Sequence, residues 1–204
     1  MIENKKNSKG RLEVICGSMF SGKTEELIKR IKKAELDKQN FIVFKPKTDS
    51  RSPKDKIISH GKSEIGAKMI ENTKEIYPFS KNYDVVGIDE AQFFNQDLVA
   101  VCNKLANDGC RVIVSGLDMD YKGVPFGPMP NLMACAEEVT KVHAVCVETG
   151  ELANYSYRKN EANDLILVGE KKEYEPLSRG EFIKRMAKRE KKRNNDNPTN
   201  CCRG

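Results

Sequence analysis

Gly17-Ser18-Met19-Phe20-Ser21-Gly22-Lys23-Thr24 is the stretch that decides the fold. It fits G-x-x-x-x-G-K-[ST], the phosphate-binding loop. Leu12-Glu13-Val14-Ile15-Cys16 before it reads as a strand, and Thr24 to Lys38 after it reads as a helix. A triphosphate needs several N–H donors converging on its oxygens, and glycine lets the backbone come that close. The first helical turn adds the positive end of its dipole. In such a loop Lys23 reaches the β- and γ-phosphates and the Thr24 hydroxyl holds Mg²⁺.

Outward from this loop, β-like runs alternate with helical patterns. Strands are predicted at Leu12–Cys16, Phe41–Phe44, Val85–Asp89, Val112–Gly116 and Val139–Val145. Each is short and almost continuously apolar, as strands buried on both faces of a parallel sheet are. Between them Leu27, Ile28, Ile31 and Ala34 recur at helical spacing, as do Leu98, Val99, Cys102, Leu105 and Ala106. The fold class is therefore α/β: an open, mostly parallel sheet of the P-loop NTPase kind, flanked by helices. Ligands on such sheets bind at the carboxyl ends of the strands. From about Cys146 the pattern changes, and residues 147–181 mix polar segments with one clear strand at Leu165–Gly169. The expected divisions are a flexible tail (1–10), a nucleotide-binding domain (11–145), a small β-rich appendage (146–183) and a basic tail (184–204), disordered or partly helical.

The net charge of +6 sits in one place. From Lys184 to Gly204 there are eight Lys and Arg against Glu190 and Asp196, which is the whole excess. The body is neutral, which argues against a broad nucleic-acid surface. No apolar run is long enough to span a membrane, and the polar N-terminus has no secretory pattern. Seven cysteines, an odd number at irregular spacing, read as free thiols of a reducing cytoplasm.

The second phosphate-site element is Val85-Val86-Gly87-Ile88-Asp89-Glu90. An apolar strand ending in an acid is the usual partner of a P-loop, the acid orienting Mg²⁺. Asp89 suits that task, which leaves Glu90 free to act as a base. Gly17–Thr24 resembles the G-P-M-F-S-G-K-[ST] loop of type II (cellular-type) thymidine kinases. Ile88-Asp89-Glu90-Ala91-Gln92-Phe93-Phe94 resembles their I-D-E-x-Q-F-F, and Gly116–Tyr121 with Pro125-Phe126-Gly127 their G-L-D-x-D-F…P-F-G. The resemblance covers about residues 11–183.

The resemblance implies transfer of a phosphoryl group from ATP to the 5′-hydroxyl of thymidine, with Mg²⁺. Glu90 matches the general base, and a carboxylate within hydrogen-bond reach of the hydroxyl is chemically apt. Lys23 and the loop amides of Gly17, Ser18, Met19, Phe20, Ser21, Gly22 and Thr24 then stabilise charge on the phosphoryl group. Asp89, Glu90, Ala91 and Gln92 complete the nucleotide side. Lys45-Pro46-x-x-Asp49-x-Arg51 resembles a family segment that brings Asp49 toward Mg²⁺ and Arg51 toward the phosphates, although Ser52-Pro53 replaces the usual Tyr-Ser.

Met19, Phe93, Leu117, Tyr121 and Phe126 match the apolar residues that enclose the base, where stacking supplies affinity. The family's lasso loop maps to Leu165–Tyr174 and contributes Leu165, Leu167, Gly169 and Tyr174. Many members of the family it resembles carry two C-x-x-C pairs that bind zinc. Here they read Cys146-Val147-Glu148-Thr149 and Ser178-Arg179-Gly180-Glu181, one thiol of four, so no structural zinc is expected. His60 and His143 receive no chemical role. The resemblance further implies feedback by thymidine triphosphate, a homotetramer, and deoxyuridine as an alternative substrate. Two other readings compete: a P-loop ATPase acting on nucleic acid, and a nucleotide-binding protein with weak or no turnover. Thymidine monophosphate formation separates them.

Overall fold

The computed structural model describes residues 10–48, 55–59, 61–160 and 173–196, with 193–196 as backbone. Six parallel strands form the central sheet: β1 (Arg11–Gly17), β2 (Phe41–Pro46), β5 (Lys68–Ile70), β6 (Val85–Ile88), β7 (Arg111–Gly116) and β8 (Glu138–Val142). Their order is β5-β2-β6-β7-β1-β8. The P-loop strand β1 and the acidic strand β6 are thus separated by β7. The hairpin β3 (Lys56–Ile58) and β4 (Glu64–Gly66) stands apart from the sheet.

Period-two alternation assigns the faces. Leu12, Val14 and Cys16 point to one side with Val86, Ile88, Val112 and Val114. That face is covered by α2 (Ile76–Ser80), α3 (Asp97–Asn107) and α4 (Met129–Cys135), through Ile76, Leu98, Cys102, Leu105, Met129 and Leu132. Ile15, Val43, Val85 and Ile113 face the other side, against α1 (Lys23–Leu36). Leu27, Ile28 and Ile31 of α1 are fully buried there, each worth roughly 2 kcal/mol of removed apolar surface. This burial fixes α1, and so the P-loop, over the carboxyl end of β1.

One charge breaks the apolar pattern of β1. Glu13 is 1% exposed, yet Arg111 donates from Nε at 2.6 Å and Arg30 from Nη1 at 2.8 Å. Burial alone raises its pKa, but Arg111, Arg30 and Arg11 outweigh that and hold the carboxyl below the ordinary range. The pairing ties α1, β1 and β7 together beneath the loop.

The run Val139–Val145, read as one strand, is broken at His143. β8 ends at Val142, and β9 (Ala144–Val145) pairs instead with β10 (Leu152–Ala153). The turn at His143 carries the chain out of the sheet, with its Nδ1 2.7 Å from Asn154 Oδ1. A second hairpin, β11 (Tyr155–Arg158) and β12 (Tyr174–Leu177), follows. The strand expected at Leu165–Gly169 lies outside the described residues. These hairpins share a third core of Ala144, Cys146, Ala153, Tyr155, Tyr157, Leu177 and Phe182, with Phe20 of the P-loop packed against it.

The last element, α5 (Arg179–Asp196), runs through the boundary expected at residue 184. Two of its cations are engaged in packing. Arg185 meets Glu175 at 2.6 Å and also pairs with Glu148, while Arg189 donates to the Arg158 carbonyl. Both guanidiniums lie over the Tyr157 ring, at 5.4 and 4.6 Å from its centre. Arg185 and Arg189, two of the eight concentrated cations, therefore brace the appendage.

Candidate active site

The P-loop turns through three left-handed residues: Gly17 at φ 146°, Phe20 at φ 65° and Gly22 at φ 86°. Gly17 has a further constraint, since a Cβ there would sit 2.1 Å from the Val142 carbonyl oxygen. Gly22 caps α1 in a left-handed conformation, and Lys23 opens the helix. The Lys23 ammonium donates to the Ser18 carbonyl at 2.7 Å, and the Ser21 hydroxyl donates to the same oxygen at 2.7 Å. The loop is also anchored to the appendage. Ser18 Oγ donates to the Ala153 carbonyl at 3.1 Å, and the Met19 N–H donates to Ser156 Oγ at 2.9 Å.

Across β7, the acidic strand end meets the helix start. Thr24 Oγ1 donates to Asp89 Oδ2 at 3.1 Å, joining residues 65 apart in sequence. Asp89 is buried, its N–H bonded to the Phe44 carbonyl at 2.9 Å. Glu90 follows in a left-handed conformation at φ 52°, ψ 41°. For a residue with a Cβ that costs about 1–2 kcal/mol, a strain concentrated at functional sites. The turn reverses the chain into a 3-10 turn, Ala91–Phe93. Ala91 joins the main core. Gln92 is 2% exposed and acts as a bridge: Nε2 donates to Glu90 Oε2 at 2.5 Å and Oε1 accepts the Leu117 N–H at 2.9 Å. Glu90 is thereby tied to the end of β7. Gly116 and Gly127 leave room for this bridge, since a Cβ at Gly116 would meet Gln92 Oε1 at 2.9 Å and one at Gly127 the Gln92 carbonyl at 2.4 Å.

The apolar residues matched to a base site are only partly covered: Met19, Phe93, Leu117 and Phe126 are of intermediate exposure, while Tyr121 and Tyr174 are buried. Phe93 and Phe126 meet edge to face at 6.0 Å and 87°. A cavity of about 530 Å³ opens beside Phe93, between Pro46–Thr48, Ile70–Thr73 and Phe94–Asn95, at the carboxyl edge of the sheet. Asp49, Arg51, His60, Leu165, Leu167 and Gly169 lie outside the described residues.

Three features were not read from the sequence. Asp118, 7% exposed, bonds Lys141 at 2.9 Å, its other oxygen lacking a partner among the described residues. Ser156 and Arg158 of β11 are the other two. The alternation Tyr155-Ser156-Tyr157-Arg158, with polar residues every second position, was the available signal. Cys16, below the loop, is no nucleophile: burial, then Asp118, pushes its thiol up to about 11. Cys146 behaves differently. Burial raises its pKa, but the Thr149 hydroxyl and backbone N–H groups of Ser178, Glu148 and Thr149 outweigh this and lower it to about 7. Two positions of the degenerate clip, Thr149 and Ser178, thus contact the surviving thiol. Among the described residues no three His, Cys, Asp or Glu side chains converge as a metal cage.

A strand, a glycine-bounded phosphate cradle, a helix and an acidic strand end one strand away define the class: an α/β protein of the P-loop type. Comparison with known proteins narrows it. The family model described as thymidine kinase matches residues 10–182. Proteins named thymidine kinase from Bacteroides fragilis strain YCH46, Bacteroides thetaiotaomicron and Rhodothermus sp. are 54%, 52% and 48% identical to this chain. The alignments cover 84%, 86% and 84% of the chain and 86%, 88% and 81% of those proteins. The chain belongs to the thymidine kinase family. It is a nucleoside kinase of the ATP-dependent phosphoryl-transfer type. Among the described residues no helix is long and apolar enough to cross a membrane.

Proposed function

We propose that the chain transfers the γ-phosphoryl group of ATP to the 5′-hydroxyl of thymidine, with Glu90 as general base. The observation that supports this reading is the 3.1 Å contact between Thr24 and Asp89, which joins the acidic strand end, with Glu90 next in sequence, to the first turn of the P-loop helix. Loop amides from Gly17 to Thr24 grip the polyphosphate, and Lys23 exchanges the Ser18 carbonyl for phosphate oxygens. Glu90, held by Gln92, accepts the hydroxyl proton as the oxygen attacks.

Thr24 and Asp89 offer hard oxygen donors 3.1 Å apart, and these two residues would hold Mg²⁺. Bound there, Mg²⁺ would neutralise charge developing on the transferred group. Asp49 and Arg51 are assigned to the metal and the phosphates. Met19, Phe93, Leu117, Tyr121 and Phe126, with Leu165, Leu167, Gly169 and Tyr174, are assigned to the base. Feedback by thymidine triphosphate, homotetramer assembly and a cytoplasmic location belong to the same reading, as does the lack of structural zinc at Cys146.

The deciding experiment supplies ATP, Mg²⁺ and thymidine and measures thymidine monophosphate. Formation of the monophosphate supports the reading, and folded protein that makes none refutes it. Elemental analysis is expected to give well below one zinc per chain.

A further inference from the structure

Arg158 ends β11, and it is 0% exposed. A guanidinium stays charged, so its burial is tolerated only where partners replace its water. Its plane lies over the Tyr121 ring, 3.8 Å from the ring centre. Its Nε and Nη2 donate to the Tyr174 hydroxyl at 3.1 and 2.9 Å. Tyr121 belongs to the loop that follows β7 in the main sheet. Tyr174 opens β12 in the appendage. Arg158 therefore holds one aromatic residue by its face and another by its hydroxyl, across the seam between the two parts. Ser156, two residues back on the same strand, receives the Met19 N–H of the P-loop. The alternate residues Tyr155 and Tyr157 instead pack on Phe182.

We propose that Arg158 is a positioning residue for nucleoside binding: it fixes the spacing of Tyr121 and Tyr174, the two aromatic residues assigned above to the base. This rests on the thymidine kinase reading above. A planar cation stacks on a ring and donates two N–H groups to one oxygen at once, which a lysine ammonium does not reproduce. Side chains ordered before the ligand arrives spare the ordering cost on binding. The ATP cradle is built from other residues, so the loss falls on the nucleoside side.

The test is steady-state kinetics for R158M, R158K and Y174F, varying thymidine and ATP separately, with thermal melts as a folding control. R158M is expected to raise the thymidine KM roughly ten- to a hundredfold, since a charged hydrogen-bonding group is lost. The ATP KM stays within about twofold, because uniform damage to the fold is not the cause. R158K recovers part of the loss. The R158M/Y174F double variant is no worse than R158M alone, because both act through one contact.

A folded R158M with an unchanged thymidine KM, or with both KM values rising in parallel, overturns the proposal. If R158M fails to fold, Y174F decides, as it removes only the oxygen that Arg158 addresses; an unchanged thymidine KM for it overturns the proposal. If the wild type binds thymidine at equilibrium but makes no monophosphate, the kinase reading fails, and the ratio of thymidine Kd values between R158K and wild type still decides the role of Arg158. Wild-type protein that binds no thymidine overturns both.

Discussion

Gln92→Glu adds a charge with almost no change of shape, at a residue that bridges Glu90 and β7. The Gln92 amide nitrogen lies 2.5 Å from Glu90 Oε2, and its oxygen keeps the Leu117 N–H at 2.9 Å. Replacing that nitrogen by oxygen sets two carboxylates in contact in a buried position. At this separation and an effective dielectric of 20, the repulsion between two full charges is about 6–7 kcal/mol. That corresponds to a ceiling of roughly 5 pH units. The pair escapes most of it by sharing one proton, so one macroscopic pKa rises and the other falls. The base is then available only above the higher of the two.

The expected result is an acidic limb of kcat/KM for thymidine displaced upward by about two units or more, with activity returning toward pH 9. Gln92→Leu is the uncharged control. It leaves the Leu117 N–H unpaired, costs about 1–3 kcal/mol of stability, and lowers kcat without moving the limb. The assay is thymidine monophosphate formation from about pH 5.5 to 9.5, with near-UV circular dichroism at each pH. A Gln92→Glu profile that overlays the wild type in position refutes the reasoning: either Glu90 is not the titrating base, or Gln92 does not touch it during turnover.

Glu90→Gln keeps the hydrogen bond from Gln92 but removes the carboxylate proposed as base, and should lower kcat about 10²–10⁴-fold with the ATP KM unchanged in steady-state assays. Gly17→Ala drives a methyl group to within 2.1 Å of the Val142 carbonyl at φ 146°; a loss of at least ~2 kcal/mol in urea titration, with impaired ATP binding, is expected. Glu13→Gln strips the counter-charge from the Arg30 and Arg111 guanidiniums and should cost about 3–5 kcal/mol in the same titration. Because the folded pKa of Glu13 is depressed, its contribution is complete above the unfolded value and fades as pH falls through the folded one. Cys146, lowered to about 7 from 9.0, follows the same sign in a different window. Between those values the unfolded chain binds more protons, so its contribution to stability grows from pH 7 to 9 and is lost below 7. Thermal melts of Cys146→Ala should lose that rise relative to the wild type.

Much of the fold was legible because buried parallel strands are continuous apolar runs, and such runs carry their own boundaries. Leu12–Cys16, Phe41–Phe44, Val85–Asp89 and Val112–Gly116 all fall within or against β1, β2, β6 and β7. Lys68–Ile70 escaped notice because three residues are too few to show a period. The run through Val145 read as one strand because His143 is a weak breaker; only pairing with Leu152-Ala153 splits it. At the candidate site, local motifs singled out Lys23, Thr24, Asp89 and Glu90 as candidates. The bridging of Gln92, the strained backbone of Glu90 and the clamp of Arg158 were not, since each depends on partners from distant segments.

The chain's order of residues by itself determined the phosphate cradle, the acidic strand end and the α/β class, because each rests on neighbours a few positions apart. Tertiary structure alone decided that β7 lies between β1 and β6, so that Thr24 and Asp89 meet over its end. It also decided that Arg185 and Arg189 brace Tyr157, and that Arg158 spans the seam between sheet and appendage. The physical reason is common to all three. Strand order and the partners of a buried charge are chosen by competition among long-range contacts, and no local spacing encodes their outcome.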